Sequence, residues 1–271
     1  MTRDELTEAR EKLLNTVVTF FRRDSSVLGI LLGGSLPTGA ADAFSDIDLR
    51  VIVEPGSHKR FVADRLKMPE SWGRLMFNEW VPGTTHCVSH FRPFGKIDIF
   101  YIAADALAPS PWLALPTRIL HDPRGLLADV IARSQYLKFE VAPDAIERVI
   151  GKGLASAHEA VRRLCRGELC HSQALLEELR TWMAHLDDLL KGRAPQAVVF
   201  TRFEKRASKA LLNTFAASYV SLDPVQIERA LLDLAAIFRT QMLTAHDQFG
   251  LSYRRDRDLH AIDIVLKREI K

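Results

Sequence analysis

The sequence is poor in the features that mark secreted, membrane-spanning and disulfide-bonded proteins. It has three cysteines, Cys87, Cys165 and Cys170, and no CxxC pair. This odd, scattered set argues against a disulfide framework or a zinc knuckle. No apolar run approaches the roughly 18 residues of a membrane span, and MTRDELTEAREKLLNTVVTFF lacks the basic-then-apolar layout of a signal peptide. We therefore expect a reduced, cytoplasmic protein without a membrane partner.

A strong excess of one charge is also missing. The formal net charge is +3, and 26% of the 271 residues are charged, an ordinary share for a globular protein. So small an excess does not indicate a nucleic-acid partner, although a local basic cleft could still meet phosphates. With 47% hydrophobic residues and no internal repeat, the chain is long enough for one large domain or two modest ones.

Helical and strand-like segments alternate in the first half of the chain. Residues 3–23 repeat apolar side chains at three- and four-residue steps, which predicts an amphipathic helix. Short β-rich runs predict strands in SVLGILLGG, DIDLRVIVEP, GRLMFNEWV, THCVSHFRP, KIDIFYIA and TRILHD, the last at a sheet edge. Helical periodicity is expected over residues 57–67 and returns in RGLLADVIARSQYL.

The pattern changes near residue 143, after which strand-like runs largely disappear. Helical periodicity marks four segments, 144–166, 171–191, 202–219 and 224–247. The tail SYRRDRDLH alternates in charge sign, and we interpret it as a solvated end. We predict an α+β fold in which a mixed β-sheet flanked by helices occupies residues 1–140 and a helical bundle occupies residues 141–271.

Two aspartates interrupt the apolar character of GGSLPTGAADAFSDIDLRVIV, residues 33–53. Side chains alternate along a strand, so Asp46, Asp48 and Arg50 share one face. The two aspartates then stand roughly 7 Å apart at the Cα, and both carboxylates can reach one point. Like charges so placed repel, and a divalent cation that prefers oxygen ligands, such as Mg²⁺, removes that cost.

A third carboxylate follows in KIDIFYI. Asp98 lies between two isoleucines and points to the opposite face of its strand. If this strand lies beside the one that carries Asp48, then Asp46, Asp48 and Asp98 converge. Such a cluster can hold two metal ions about 3.5–4 Å apart, an arrangement that drives in-line phosphoryl transfer. The three aspartates are therefore the predicted metal ligands.

The glycines that open the same stretch predict a phosphate site. Gly33 and Gly34 let the backbone approach a ligand closely, because no Cβ stands in the way. Ser35 is expected to cap a short helix that runs through Ala41, and the first N–H groups of a helix favour a phosphate. Ten residues separate Ser35 from Asp46, so a phosphate cradle and a metal site lie close in the chain and suggest a nucleoside triphosphate held by both.

Together these motifs resemble the nucleotidyltransferase superfamily typified by DNA polymerase β. The resemblance is strongest to the bacterial aminoglycoside and lincosamide adenylyltransferases. It rests on three motifs in order over about 70 residues, GGS, SDIDL and GKIDIFYI. The resemblance implies that Asp46, Asp48 and Asp98 are catalytic, with the third binding metal or acting as base. It also implies that Gly33, Gly34 and Ser35 bind the nucleotide, and that pyrophosphate leaves when a hydroxyl attacks the α-phosphorus.

The resemblance further implies cofactors and partners. Two Mg²⁺ ions and ATP or another nucleoside triphosphate are expected, with AMP transferred to a hydroxyl of a small molecule. An aminoglycoside or lincosamide antibiotic is one candidate acceptor, and resistance would be the corresponding role. The helical half is compatible with the substrate-binding domains of those enzymes. A monomer or a homodimer is expected, without a stable nucleic-acid partner, because polymerase or tailing activity predicts a strongly basic groove.

Two other functions stay open. One is a protein-modifying or antitoxin-like nucleotidyltransferase that acts with a protein partner, although its usual representatives are much shorter and lack a large helical half. The other is a catalytically silent nucleotide-binding module, against which the intact set of three aspartates argues. Labelled nucleotides offered to small molecules and to proteins would separate these hypotheses.

Other polar patterns have simpler interpretations. On a strand, His86 and His90 lie roughly 13 Å apart, too far to share one ion. The spacing R-x4-H occurs twice, in Arg166–His171 and in Arg180–His185. It resembles the catalytic pair of HEPN-type ribonucleases, yet short patterns of common residues recur by chance. Arg50 either steadies phosphates or pairs with a carboxylate.

Overall fold

The structure, a computed structural model, describes residues 1–194 and 198–267. Its chain forms two compact units, Met1–Lys138 and Phe139–Lys271. The predicted helical domain extends into the two short segments that lie outside the described residues. In the described part of the chain, no helix combines the length and the apolar character that crossing a membrane requires.

The first unit is built on a mixed six-stranded sheet, as predicted. Its strands are β1 Val27–Leu32, β2 Ile47–Val53, β3 Leu75–Glu79, β4 His86–Phe91, β5 Gly95–Ala103 and β6 Arg118–His121. Their order across the sheet is β3-β4-β5-β2-β1-β6. β2 and β5 are parallel, and the other neighbouring pairs are antiparallel. The predicted edge position of TRILHD is thus correct.

Three helices flank this sheet in the described unit: α1 Arg3–Arg22, α2 Pro55–Asp64 and α3 Leu126–Ser134. α1 begins at a capping box. The Thr2 side chain accepts a hydrogen bond from the Glu5 amide, and the Glu5 side chain accepts one from the Thr2 amide. Its apolar side chains Leu13, Val17 and Phe21, at helical spacing, are buried in the main core of the unit.

The two faces of the sheet pack against different helices. One face carries Ile47, Leu49 and Val51 of β2 into the core that contains α1 and the Phe61 side chain of α2. On the other face, α3 contributes to a smaller core that includes Ile52. Because side chains alternate along β2, Asp48 and Arg50 share the face of Ile52, and both are only partly buried. The polar end of this face is therefore accessible.

The second unit is helical in its described residues. Its helices are α4 Pro143–Cys165, α5 Leu169–Leu190, α6 Phe203–Arg206, α7 Lys209–Ser218, α8 Pro224–Gln248 and α9 Arg255–Leu266. The continuous helix expected over residues 202–219 is wrong. The chain extends at Ala207, and the Ser208 side chain then caps α7 by accepting from the Leu211 amide.

The interpretation of SYRRDRDLH as a solvated end is wrong for two of its charged residues. Arg254 and Asp258 are 8% and 2% exposed, and the tail continues into α9. Asp258 accepts from Arg254 Nε at 2.6 Å and lies 3.0 Å from His246 Nε2. Arg254 Nη1 also donates to Glu147 at 2.8 Å. Arg254 and Asp258 face inward because they find partners on α4, on α8 and within the tail itself, whereas Asp256 and Arg257 stay exposed.

Candidate metal and nucleotide site

The sheet brings the three predicted carboxylates together. Asp48 on β2 is the direct neighbour of Asp98 on β5 in the parallel register, and Asp46 stands immediately before β2. One carboxylate oxygen from each residue lies within 4.8 Å of those of the other two. Strands in a sheet are about 4.8 Å apart, so paired residues on one face place their side chains at this distance.

The cluster has an unfavourable electrostatic environment. Burial, followed by the charges of Asp46 and Asp98, raises the pKa of Asp48 to about 6. Burial also raises the pKa of Asp98, although Lys96 opposes the shift. Within the described residues, the buried Oδ1 of Asp98 has no hydrogen bond of good geometry. Concentrated negative charge of this kind is stabilised by a cation.

The donor set fits a divalent metal ion. All three side chains supply hard carboxylate oxygens, the ligands that Mg²⁺ and Mn²⁺ prefer. Asp46, Asp48 and Asp98 would hold such an ion, and the poorly satisfied Asp98 oxygen is an available ligand. A metal there would meet the excess negative charge of the cluster and would be open to a ligand, because all three residues are only partly buried.

A lysine that the sequence reasoning missed lies within this cluster. Lys96 Nζ donates to Asp46 Oδ2 at 2.9 Å and to Asp98 Oδ2 at 3.2 Å. Burial alone would lower the pKa of Lys96, but the hydrogen bond to Asp46 and the charge of Asp98 outweigh it and raise the pKa. The sequence does indicate this position, because Lys96 precedes Asp98 by two residues on one strand and the two side chains must share a face.

The glycine turn is shaped by the residues of β2. Gly34 has φ +67°, and a Cβ placed there would stand 1.8 Å from Asp48 Oδ2. Gly33 donates its N–H to the Asp48 carbonyl at 2.9 Å, and a Cβ there would lie 2.7 Å from Arg50 Nη1. Gly34 needs glycine because its φ is positive and the Asp48 side chain lies against it, whereas Gly33 meets only the flexible end of Arg50. Sequence reasoning assigned these glycines to phosphate alone.

The helix predicted to begin at Ser35 is a single 3₁₀ turn, Leu36–Thr38, which ends at Gly39 with φ +71°. In this fully described segment the Ser35 side chain makes no capping hydrogen bond. Gly39 takes the left-handed conformation that ends helices, so the turn cannot lengthen. A turn this short has little dipole to offer a phosphate. The predicted role of Ser35 therefore depends on its hydroxyl and on the backbone of the turn.

Aromatic rings and a guanidinium extend the polar face beyond the carboxylates. Arg50 places its guanidinium carbon 5.9 Å from the ring centroid of Phe100. The imidazole of His86 stacks on the same ring at 5.2 Å and 22°. Phe100 is 40% exposed, and it follows Asp98 by two residues on the same face of β5. Arg50 is thus supported between the glycine turn and an aromatic surface.

The other candidate patterns have structural partners. His90 Nε2 contacts Glu79 Oε1 at 2.5 Å, and its ring stacks on Phe77. The Arg180 guanidinium is buried, bonds to Ser218 and lies 4.0 Å from the ring centroid of Tyr219. These contacts explain the residues through packing and pairing. Among the described residues, neither His86 nor His90 belongs to a group of three side chains that could hold a metal ion.

The family comparison agrees with this geometry. Residues 14–79 match the model of the nucleotidyltransferase domain family. The matched segment spans the glycine turn and the first two aspartates, and it ends before Asp98. This segment of the first unit is thus similar to the nucleotidyltransferase domain, in agreement with the expected superfamily and enzyme class.

Two solved structures are similar to the chain over most of its length. An aminoglycoside 6-adenyltransferase from Bacillus subtilis is 12% identical with a TM-score of 0.45, covering 97% of this chain and 98% of its own. A nucleotidyltransferase-like protein from Exiguobacterium sibiricum 255-15 is 16% identical with a TM-score of 0.46, covering 91% and 80%. At these TM-scores neither likeness bears on the acceptor. No curated protein matches the sequence.

Proposed function

We propose that the chain is a magnesium-dependent nucleotidyltransferase that moves AMP from ATP to a hydroxyl of a small molecule. The observation that carries the proposal is the convergence of Asp46, Asp48 and Asp98 within 4.8 Å on the accessible face of the sheet. A nucleotidyltransferase domain supplies the reaction class. The carboxylate cluster supplies a site for the two metal ions that such chemistry uses.

The proposed reaction is a direct displacement. The acceptor oxygen forms a bond to the α-phosphorus, the bond between that phosphorus and the bridging oxygen breaks, and pyrophosphate leaves. Bound at the three aspartates, Mg²⁺ would neutralise charge on the triphosphate and on the attacking oxygen. Asp98 is the proposed acceptor of the hydroxyl proton, because burial raises its pKa and makes it a stronger base than an ordinary aspartate.

The triphosphate is proposed to lie along the turn from Gly33 to Ser35. Arg50 lies against this turn, since its Nη1 occupies the space beside Gly33. Its contact with the Phe100 ring holds the guanidinium on the same face as Asp48. Both contacts support the phosphate alternative for Arg50. Arg50→Met is expected to raise the KM for ATP about tenfold or more, the loss of one charge-assisted contact.

A small acceptor is supported by a cavity in the second unit. The cavity measures about 360 Å³, within the size range of small-molecule sites. Apolar and aromatic side chains form most of its lining, among them Phe139 and Trp182, with Glu140, Arg148 and His185 as polar groups. Burial lowers the pKa of His185, which keeps its imidazole neutral and suited to hydrogen bonding.

A transfer screen tests the proposal. Purified protein is incubated with Mg²⁺, each labelled nucleoside triphosphate and one acceptor class at a time: aminoglycosides, lincosamides or proteins. Pyrophosphate release with a small hydroxyl compound, lost in Asp48→Asn, is the expected result. Transfer to protein alone would contradict the small-molecule acceptor, and nucleotide binding without any release would contradict catalysis. An antibiotic acceptor would be needed before a resistance role follows.

A further inference from the structure

Lys96 lies among the three aspartates and contacts two of them. Its ammonium lies between Asp46 and Asp98, 2.9 Å from Asp46 Oδ2 and 3.1 Å from Asp98 Oδ1. A single positive group thereby joins two carboxylates that come from separate segments, 52 positions apart in the chain. It is 35% exposed, so it has a path to solvent without any rearrangement of the sheet.

A divalent cation held by Asp46 and Asp98 would meet the same two carboxylates as the ammonium. A metal ion that bridges Asp46 and Asp98 needs their oxygens at about 2.1 Å. The lysine hydrogen-bonds to one oxygen of each carboxylate, Asp46 Oδ2 and Asp98 Oδ2, and its ammonium also lies 3.1 Å from Asp98 Oδ1. An ammonium that stayed hydrogen-bonded there would add its repulsion to the cost of binding a divalent ion.

We propose that Lys96 is a tethered cation that occupies the metal position, keeps the three carboxylates together in the metal-free protein and leaves when the divalent ion binds. The inference rests on the proposed function, because it takes Asp46, Asp48 and Asp98 as metal ligands. Lys96 is then a positioning residue, and it weakens metal binding while it preserves the geometry of the ligands. The strand β5 keeps the displaced ammonium beside the site.

Mn²⁺ binding without nucleotide tests this directly. Free Mn²⁺ is titrated by electron paramagnetic resonance in wild type, Lys96→Met, Lys96→Arg and Lys59→Met. Lys59, an exposed residue of α2, controls for the loss of one positive charge from the unit. Lys96→Met is expected to bind Mn²⁺ about tenfold more tightly than wild type. Lys96→Arg and Lys59→Met should bind like wild type.

Thermal unfolding gives a second readout that does not depend on activity. Without metal, Lys96→Met should melt below wild type, because the carboxylates lose their internal cation. Saturating Mn²⁺ should then raise its Tm by more than it raises that of wild type, since tighter binding to the folded state stabilises it more. Lys96→Gln, which is polar and uncharged, repeats both measurements in case Lys96→Met folds poorly.

The outcomes separate the two proposals. Equal or weaker Mn²⁺ binding by both Lys96→Met and Lys96→Gln would overturn the role of Lys96. If Asp48→Asn still abolishes Mn²⁺ binding in that case, the metal site stands without it. If neither wild type nor Lys96→Met binds Mn²⁺ in a manner that Asp48→Asn removes, both the inference and the metal-dependent function fail.

Discussion

Each unit of the protein holds a cluster of acidic side chains, and the two clusters differ in how their charges are met. In the first unit, two of the three carboxylates, those of Asp46 and Asp98, contact one ammonium, and Asp48 has its pKa raised to about 6 by burial and by the neighbouring carboxylates. In the second unit, Asp258 accepts from Arg254 and contacts His246, while Glu147 accepts from the same arginine. The second cluster is also the more deeply buried, since Asp258 is 2% exposed.

This difference distinguishes a ligand-binding site from an ionic cluster that stabilises the fold. A buried ionic cluster whose members have partners stabilises one arrangement of helices, and removing a member leaves an unpaired buried charge. A partly exposed cluster with excess like charge opposes folding and persists where a ligand meets that charge. The acidic residues of the first unit are thus expected to matter for catalysis, and those of the second for stability.

Asp48→Asn should give the largest effect and the sharpest test of this contrast. Loss of one carboxylate removes a metal ligand, so transfer should fall about 10³-fold or more. The fold should be kept, because the substitution relieves repulsion and needs no space. Pyrophosphate release and Tm are the measurements. Retained transfer that still requires Mg²⁺ would break the assignment.

Asp258→Asn should act in the opposite way. It leaves the buried Arg254 and His246 with a weaker partner and should lower the free energy of unfolding by about 3 kcal/mol. Urea unfolding followed by far-UV circular dichroism measures this loss. Asp256→Asn, an exposed change in the same turn of α9, is the matched control and should cost little. Equal losses in the two variants would contradict a structural role for Asp258.

Gly34→Ala tests whether the turn positions Asp48. Both Gly34 and Gly39 have positive φ, but only Gly34 has Asp48 within reach of an added Cβ, at 1.8 Å from Oδ2. Gly39→Ala is therefore a control for backbone strain, which costs about 1–2 kcal/mol in either variant. Gly34→Ala should lower transfer about 10²-fold through displacement of the carboxylate. Similar activity in the two variants would contradict the positioning role.

The smallest expected effect is a pH dependence of stability in metal-free protein. The pKa of Asp48 rises from 3.8 to about 6, so the folded chain binds more protons than the unfolded chain between these values. The contribution of Asp48 to stability is therefore present at low pH and is lost as the pH rises through about 6. With a chelator present, Asp48→Asn should melt above wild type at neutral pH and should converge with it towards pH 4. A constant Tm difference would contradict the raised pKa.

Local patterns predicted much of the first unit. Alternation fixes the faces of Asp48 and Asp98 on their own strands, and the two side chains meet because β2 and β5 are neighbours in the sheet. Lys96 was overlooked although the same rule applies to it, because lysine on a half-exposed strand is common. The helix from Ser35 was wrong because the left-handed backbone at Gly39 ends the turn.

Non-local partners explain the errors in the second unit. The charges of SYRRDRDLH resemble a solvated segment when the tail is considered alone. The burial of Arg254 and Asp258 depends on Glu147 and His246, which lie on other helices. Ile262 and Val265 further along the tail are buried and carry helical spacing, a signal that could have revealed α9.

The most direct test of the central claim is anomalous diffraction from crystals grown with Mn²⁺ and an ATP analogue that carries a methylene group between the α- and β-phosphorus. We expect Mn²⁺ to be bound by Asp46, Asp48 and Asp98, with Lys96 moved away and the triphosphate along the turn from Gly33. Nucleotide bound without metal at the three aspartates, or Mn²⁺ bound only at other residues, would contradict it.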